Sequence, residues 1–356
     1  MKKPALFLAA LLAAAVVVGS VHADLTSSLK KQSVELKSAG PLAFGPDSVL
    51  FIGDSSAATI WAVATGDTAT GDKSAALNVE KIDAKIADLL GTMASNVAIA
   101  DMKVNPATGN VFLSVGKKGG AGATILRVDR AGKITEVSLS SVPAAKVALP
   151  NPNDKNRTMS ITCMALLKDK LFVAGLSNEE FASTLRTIPV PFPSELDKGT
   201  GVEIYHGNHG AFETRSPIRT FTPFDINGQA NLLAAYTCTP LVKFPVEELK
   251  PNAKVRGTTI AELGNRNTPL DMVVYQKDGK TFVLMSNDRR GVMKITTDGI
   301  DKVEAITKRI GGIAGVKYDT ISDLTGVEQL DRLNDSMALL LVKSGDSRDL
   351  KSVALP

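Results

Sequence analysis

The sequence predicts an all-β protein, and within that class a β-propeller of six blades. A strand–turn–strand–loop–strand pattern recurs about six times after residue 40, at a period of roughly 45–60 residues, which is typical of propeller blades. Pro, Gly, Asn and Asp fall at the positions where tight hairpins need them. A mature chain of roughly 330 residues exceeds the usual size of one hydrophobic core. A ring of small sheets accounts for that length.

The predicted blades differ in how regular the repeat is. Blade 2 has the clearest copy, with apolar runs at 100–104, 111–115 and 123–128. Blade 6 is the least regular, and a count of seven would require the long third repeat to contain two blades. We expect a strand at 33–37 to join the C-terminal blade, because this would close the ring and leave no sheet edge exposed. In chain order, the predicted inner strands begin near Pro41, Ala100, Ile161, Ile218, Leu270 and Val327.

The first 23 residues have the pattern of a secretory signal peptide. A basic start, Met1-Lys2-Lys3, precedes an apolar run from Ala5 to Val18, and a small-x-small pattern ends at Ala23. A retained membrane anchor is the weaker interpretation, because this run is shorter than the about 20 residues that a span needs. We therefore expect residues 24–356 to form one propeller domain of an exported protein, either periplasmic or secreted.

Composition argues against several kinds of partner. Removing Lys2 and Lys3 lowers the formal net charge from +4 to +2, and the remaining basic residues are scattered along the chain. Nucleic-acid binders combine basic patches with interleaved aromatic residues, and this sequence has no such patch. Trp61 is the single Trp, which argues against aromatic sugar-binding platforms. We expect a monomer without a membrane span that binds a small molecule or a protein partner.

The sequence of the first blade resembles the repeats of known propellers. The run from Leu42 through Pro46 to Asp54 resembles the repeats of NHL-repeat and lactonase-like, gluconolactonase-type propellers. The resemblance implies a place for a divalent metal in the central channel, held by acidic and Asn residues on inner strands. This chain departs from that pattern, because the corresponding positions hold Pro41 in the first blade and Cys163 in the third. That departure puts a standard Ca²⁺ cage in doubt.

Aligning the repeats predicts which side chains surround the channel. The residue before the apolar Met of the innermost strand is Asp101 in blade 2, Cys163 in blade 3 and Asp271 in blade 5. Equivalent positions of successive blades surround one mouth of a propeller channel, so we expect these three side chains to meet there. In the other blades, the candidates for this position are Pro41, Pro223 or Asp225, and Gln329.

Loops predicted at the same face supply a second set of candidates. Arginines in these loops would hold an anionic ligand through bidentate contacts. The alternative, pairing with neighbours such as Glu179, Glu180 and Asp288, is favoured. The candidate ligand-rim residues are Arg157, Asn178, Arg266, Asn287 and Arg289.

The two histidines of the mature chain lie in one short loop. His206 and His209 are separated by a Gly-Asn step, so both imidazoles can converge on one ion. With Cys163, Cys238 and the channel residues Asp101 and Asp271, they form a ligand set suited to Cu or Zn more than to Ca. The alternative is that both histidines are ordinary loop residues that hydrogen-bond to the backbone.

The two cysteines have competing interpretations. Two cysteines in an exported protein favour a disulfide, here Cys163–Cys238. Closing a loop of about 75 residues would contribute roughly 4 kcal/mol in the loop-entropy model. A disulfide would remove the sulfur ligand from the predicted metal site. The alternatives are a free thiol that ligates a metal and two unpaired buried cysteines.

The sequence lacks the motifs of several enzyme classes. Two main functional interpretations remain, and a third has less support. Gly-x-Ser-x-Gly, Cys-x-x-Cys-His and phosphate-cradling Gly patterns are absent. We favour a non-catalytic exported propeller that binds a small ligand, a metal ion or a partner protein at the channel-mouth face. The alternative is a metal-dependent lactonase-like hydrolase with Asp101 or Asp271 as catalytic base. A transition-metal redox or accessory protein is the third, so enzyme activity stays open.

Overall fold

Six β-sheets form a closed ring around a central channel in the computed structural model, which describes residues 25–120, 122–238 and 240–356. Each sheet contributes one inner strand, and each inner strand contacts the inner strands of two neighbouring sheets. The predicted six-bladed β-propeller is confirmed. The expected signal peptide, residues 1–23, lies outside the described residues.

The first half of the chain forms blades 1 and 2. β1 (Lys30–Gln32) precedes the three strands that begin blade 1, which are β2 (Leu42–Phe44), β3 (Val49–Asp54) and β4 (Thr59–Ala64). Helix α1 (Ile82–Leu90) follows. Blade 2 then forms from β5 (Val97–Val104), β6 (Val111–Lys117), β7 (Ala123–Val128) and β8 (Ile134–Glu136). The chain returns to blade 1 as β9 (Val142–Ala148), which pairs with β4 and β1.

The second half forms blades 3 to 6. Blade 3 contains β10 (Cys163–Leu167), β11 (Lys170–Leu176), β12 (Ser183–Pro189), β13 (Thr200–His206) and β14 (Ala211–Glu213). Blade 4 begins with β15 (Ile218–Ile226), β16 (Gln229–Tyr236) and β17 (Pro240–Pro245), after which β18 (Lys254–Arg256) pairs with β13 and β19 (Thr258–Leu263) pairs with β17. Blade 5 consists of β20 (Pro269–Lys277), β21 (Lys280–Asn287), β22 (Gly291–Thr296) and β24 (Tyr318–Ile321). The intervening strand β23 (Ile313–Gly315) belongs to blade 4. Blade 6 consists of β25 (Val327–Arg332), β26 (Met337–Ser344) and β27 (Ser347–Ala354).

Short 3₁₀ helices lie in the connections. They are Leu25–Ser28, Pro46–Ser48, Ala94–Asn96, Arg157–Met159 and Val246–Glu248. Within the described part of the chain, no helix combines the length and hydrophobicity that crossing a membrane requires.

The order of blades around the ring differs from their order in the sequence. Contacts between inner strands place blade 1 between blades 2 and 3, and blade 2 between blades 1 and 6. After β4 the chain passes to the outer edge of blade 6, where Val79 pairs with Leu350 of β27. It then forms blade 2 before β9 completes blade 1. A simple repeat count does not predict this crossover.

The predicted ring closure is therefore wrong in detail. The N-terminal strand lies at Lys30–Gln32, not at 33–37, and it pairs with β9 of blade 1 instead of the C-terminal blade. The outer edge of blade 6 is covered instead by the crossover, whose Leu77 and Val79 are 2% and 3% exposed. Burying these two apolar side chains against the sheet edge favours the crossover over the polar N-terminal strand.

Six apolar clusters fill the six gaps between neighbouring blades. Residues on opposite faces of one strand enter different clusters, as Leu340 and Leu341 of β26 do toward blades 5 and 2.

The crossover is also tied to the first hairpin of blade 2, since the Asp67 carboxylate accepts hydrogen bonds from Asn105 and Thr108 at 2.8 and 2.6 Å. These contacts fix the inner strands that surround the channel.

Candidate functional site

Five side chains from blades 2, 3, 5 and 6 meet in the channel. We call Asp101, Lys103, Cys163, Asp271 and Asp331 the channel cluster. Lys103 Nζ lies 3.3 Å from Asp271 Oδ2 and 3.9 Å from Asp101 Oδ1. Lys103 and Cys163 also interact electrostatically. The structure thus brings together the three residues that the repeat alignment selected, and it adds a lysine and a third aspartate.

The aspartates of the channel cluster link successive blades. Asp101 Oδ2 accepts a hydrogen bond from Leu42 N of blade 1 at 2.6 Å, while Oδ1 accepts from Met102 N. Asp271 repeats this arrangement with Leu330 N of blade 6, and Asp331 repeats it with Val104 N of blade 2. These carboxylates therefore hold the ring of inner strands together. Their recurrence in the sequence has a structural cause.

Burial and mutual repulsion shift the proton equilibria of the channel cluster. Burial raises the pKa of Asp271 to about 7, and the negative charges of nearby Asp101 and Asp331 act in the same direction. Together they outweigh the Lys103 ammonium, which lowers this pKa. Burial also raises the pKa of Asp101, and it raises the pKa of the Cys163 thiol to about 11. The three aspartates outweigh burial at Lys103 and raise its pKa well above the usual value.

This arrangement does not favour a metal among Asp101, Cys163 and Asp271. Both aspartates already accept backbone hydrogen bonds, and the Lys103 ammonium supplies the positive charge between them. Cys163 Sγ also lies within hydrogen-bond distance of Phe221 O, at 3.7 Å. The predicted ligand set of histidines, cysteines and channel aspartates is divided between two separate regions.

The channel cluster borders a cavity of about 550 Å³. Inner strands of all six blades line it, and Pro106 and Asn334 place the first hairpin turns of blades 2 and 6 at its mouth. Its apolar wall includes Phe44, Met164 and Phe221. The cavity therefore opens at the end of the inner strands opposite to the loops that enter them.

The second region lies where the β13–β14 hairpin of blade 3 meets the β16–β17 loop of blade 4. We call His206, His209, Glu213 and Cys238 the loop cluster. One nitrogen from each histidine and Cys238 Sγ all lie within 4.8 Å of one another. The imidazole centroids are 3.7 Å apart. The histidines therefore converge with Cys238 and not with Cys163.

Glu213 fixes both imidazoles of the loop cluster. Its Oε2 lies 3.1 Å from His206 Nδ1 and its Oε1 lies 2.5 Å from His209 Nδ1. Burial opposes the carboxylate charge, but hydrogen bonds from both histidines and from Ser216 lower the pKa of Glu213 to about 2. Glu213 is thus an anion that accepts hydrogen bonds from both rings.

The local backbone positions these side chains. Gly207 N donates to Glu262 Oε1 at 2.7 Å, and a Cβ at this glycine would lie 2.9 Å from that oxygen. Gly207 therefore allows the close approach that anchors the histidine loop to β19. On the other side, Cys238 has φ = 63°, and its N–H donates to Asn267 O at 2.7 Å.

The expected disulfide is not formed. Both cysteines of the chain lie within the described residues, and both are free. Cys163 Sγ contacts Phe221 O of the neighbouring inner strand at 3.7 Å, whereas Cys238 lies in a loop at the end of β16. The strand and the loop direct the two thiols to different surroundings.

Most of the predicted ligand-rim residues form local pairs, and none of the five lines the channel cavity. Arg157 lies 3.2 Å from Asp154 Oδ1, and Asn178 donates to the same carboxylate at 2.7 Å. Arg289 lies 3.9 Å from Asp288. Asn287 is buried and accepts a hydrogen bond from Asn267, while Arg266 has a left-handed backbone with φ = 55°. Asn287 and Arg289 line a separate groove between blades 5 and 6.

Three residues of these two regions were missed in the sequence. Lys103 lies two residues after Asp101, so strand alternation puts both on one face, a signal that could have identified it. Glu213 lies four residues after His209, across a hairpin that only the fold defines. The irregular repeat of blade 6 hid Asp331, and Gln329, the candidate there, donates to Ile99 O at 3.4 Å.

No family model and no curated protein matches this chain. Similar solved structures include the PQQ-bound aldose sugar dehydrogenase of Streptomyces coelicolor, with 13% identity, coverage of 91% of this chain and 96% of that chain, and a TM-score of 0.37. Drosophila Plexin A in complex with Semaphorin 1b has 10% identity, coverage of 92% and 88%, and a TM-score of 0.41. Hydrazine synthase of Kuenenia stuttgartiensis has 9% identity, coverage of 91% and 97%, and a TM-score of 0.34. At these identities the likeness concerns the fold alone.

Proposed function

We propose that this protein is an exported, non-catalytic propeller that binds a small organic cation with an apolar body in its central channel. The observation that carries the proposal is the cavity of about 550 Å³, which has an apolar wall and, at its floor, the carboxyl groups of Asp271 and Asp331 beside the single ammonium of Lys103. Cavities of about 300–1,000 Å³ with few convergent polar groups are typical of small-molecule sites.

The charge of the ligand follows from the ion pairs of the channel. Asp101, Asp271 and Asp331 surround one ammonium, that of Lys103. Asp331 has no ion pair within the described part of the chain, since its oxygens accept only from Arg332 N and Val104 N. Each carboxylate oxygen retains a second lone pair. An ammonium group of a ligand would compensate the remaining negative charge.

At the mouth of the cavity one cation pairs with a carboxylate and the other hydrogen-bonds to a carbonyl, so the preference for a cationic ligand arises at the floor. Arg332 Nη2 lies 2.6 Å from Asp335 Oδ1, and Lys73 Nζ donates to Pro106 O at 2.9 Å. These cations therefore already have partners. An anionic ligand would meet Asp271 and Asp331 beyond them, and like charges in a desolvated site repel strongly.

The lactonase-like alternative has less support. A hydrolase of that kind needs a metal between its carboxylates, and in this channel the Lys103 ammonium lies between Asp101 and Asp271. The export of the protein is proposed from the predicted signal peptide, and the monomeric state stays a prediction.

Calorimetric titration with three probes of one shape tests the proposed function. 4-Phenylbutylamine, 4-phenylbutanol and 4-phenylbutanoate share an apolar body and differ in charge. We expect the amine to bind at least tenfold more tightly than the alcohol, because of the carboxylate excess, and the anion to bind weakest. Equal affinities, tighter binding of the anion, or no binding of the amine would each contradict the proposal.

Two variants locate the binding. Asp331→Asn removes the unpaired carboxylate and is expected to weaken amine binding about tenfold, with little effect on the alcohol. Asp335→Asn is the matched control, since this aspartate is fully exposed at the mouth. If Asp331→Asn does not fold, Ala165→Phe fills the cavity and should weaken both the amine and the alcohol. Unchanged amine binding in Ala165→Phe would contradict the assignment.

A further inference from the structure

The loop cluster lies apart from the channel and has a donor atom that the fold leaves unused. His206 is 2% exposed, and its Nε2 has no hydrogen-bond partner among the residues that the structure describes. A buried ring nitrogen without a partner loses the hydrogen bond that it would make with water. Such an atom points to a ligand that the protein chain itself does not provide.

The tautomers of both histidines follow from Glu213. A carboxylate can only accept hydrogen bonds, so each Nδ1 that contacts Glu213 must carry the proton. In the neutral rings, Nε2 then presents a lone pair. A carboxylate behind a histidine is the usual partner of metal-binding imidazoles, because it fixes the ring and increases its basicity. Glu213 provides this for His206 and His209 together.

The third donor sets the class of ion. Cys238 Sγ lies within 4.8 Å of one nitrogen of each ring, and sulfur with two imidazoles forms a borderline-to-soft set. Such a set favours Zn²⁺ or Cu⁺ over Ca²⁺ and Mg²⁺, which prefer oxygen. Zinc binds nitrogen at about 2.0 Å and sulfur at about 2.3 Å, so the donors must approach slightly. His209, 48% exposed, lies in a hairpin loop and can make that adjustment.

We infer that His206, His209 and Cys238 form a binding site for one transition-metal ion, oriented by Glu213. Three protein ligands leave a fourth position for water or for a group of another molecule, on the exposed side where His209 lies. The site is independent of the proposed function, since it lies at the loops that enter the inner strands while the cavity opens at their other ends.

Cobalt substitution tests this site on the untagged mature chain. Metal-free protein is titrated with Co²⁺ and then with Zn²⁺ in competition with a chromophoric chelator. We expect one equivalent of each ion, and a thiolate-to-cobalt charge-transfer band that shows sulfur ligation. Cys238→Ser should abolish the band and weaken Zn²⁺ binding at least tenfold.

Cys163→Ser is the matched control, because it changes the other thiol of the chain and should keep both the band and the affinity. If Cys238→Ser does not fold, His209→Ala at the exposed position should lower Zn²⁺ affinity at least tenfold. Loss of the band in Cys163→Ser but not in Cys238→Ser would overturn the assignment. So would an unchanged Zn²⁺ affinity in both Cys238→Ser and His209→Ala. Binding of 4-phenylbutylamine should stay unchanged in Cys238→Ser and in His209→Ala, which lie away from the cavity.

Discussion

The channel cluster and the loop cluster each combine a cysteine with at least one carboxylate, but they differ in what already occupies their donor atoms. In the channel, Asp101 and Asp271 accept backbone hydrogen bonds from two blades and face the Lys103 ammonium. In the loop cluster, His206 Nε2 has no partner among the described residues. A set of metal-ligand residue types therefore indicates a metal site only where donor atoms stay free.

Lys103→Met should produce the largest loss of stability. The substitution removes the single ammonium of the channel cluster and leaves three carboxylates around an apolar side chain. Removing one partner of a buried ion pair typically costs about 3–5 kcal/mol. We expect a decrease of this order in the free energy of unfolding at pH 8, measured by denaturant titration. A loss below about 1 kcal/mol would show that the ammonium is not essential to the channel.

Stability should fall as pH rises through neutrality because of Asp271. Its folded pKa of about 7 is above its ordinary value, so folding favours the protonated form. The stabilising contribution is complete below about pH 4 and is lost as pH rises through 7, by at most about 1.4 kcal/mol per pH unit.

The groups that face Asp271 are Asp101, Lys103, Cys163 and Asp331. Asp271→Asn should flatten the dependence between pH 5 and 8, as followed by thermal unfolding in a pH series. An unchanged slope would assign the dependence to another group.

Glu213→Gln should weaken metal binding while it leaves the ligands in place. Losing a carboxylate partner of ligating histidines typically lowers metal affinity 10- to 100-fold. We expect this range for Zn²⁺ in a competition titration. Glu203→Gln is a suitable control, because Glu203 lies on the neighbouring strand β13 and pairs with Arg256. Equal effects of the two variants would remove the special role of Glu213.

Arg157→Ala should have the smallest effect. Its ion pair with Asp154 lies on the surface, where such pairs contribute about 0–1 kcal/mol. We expect unchanged binding of both Zn²⁺ and 4-phenylbutylamine, and a change in unfolding free energy below about 0.5 kcal/mol. A marked loss of binding to either probe would restore the predicted ligand rim.

The repeat predicted the fold and part of the channel for physical reasons. Strand alternation and turn residues are local signals, so six blades and the meeting of Asp101, Cys163 and Asp271 follow from the sequence. The crossover through Val79 and the approach of Cys238 to His206 depend on contacts distant in sequence. No periodicity records those contacts. The alignment also could not show that the aspartates recur because their carboxylates join neighbouring blades.

Anomalous X-ray scattering at the zinc absorption edge, on crystals of the mature protein soaked in Zn²⁺, tests the central contrast most directly. We predict one strong peak bounded by His206, His209 and Cys238, and no peak between Asp101 and Asp271. A peak in the channel with none at the loop cluster would contradict the account.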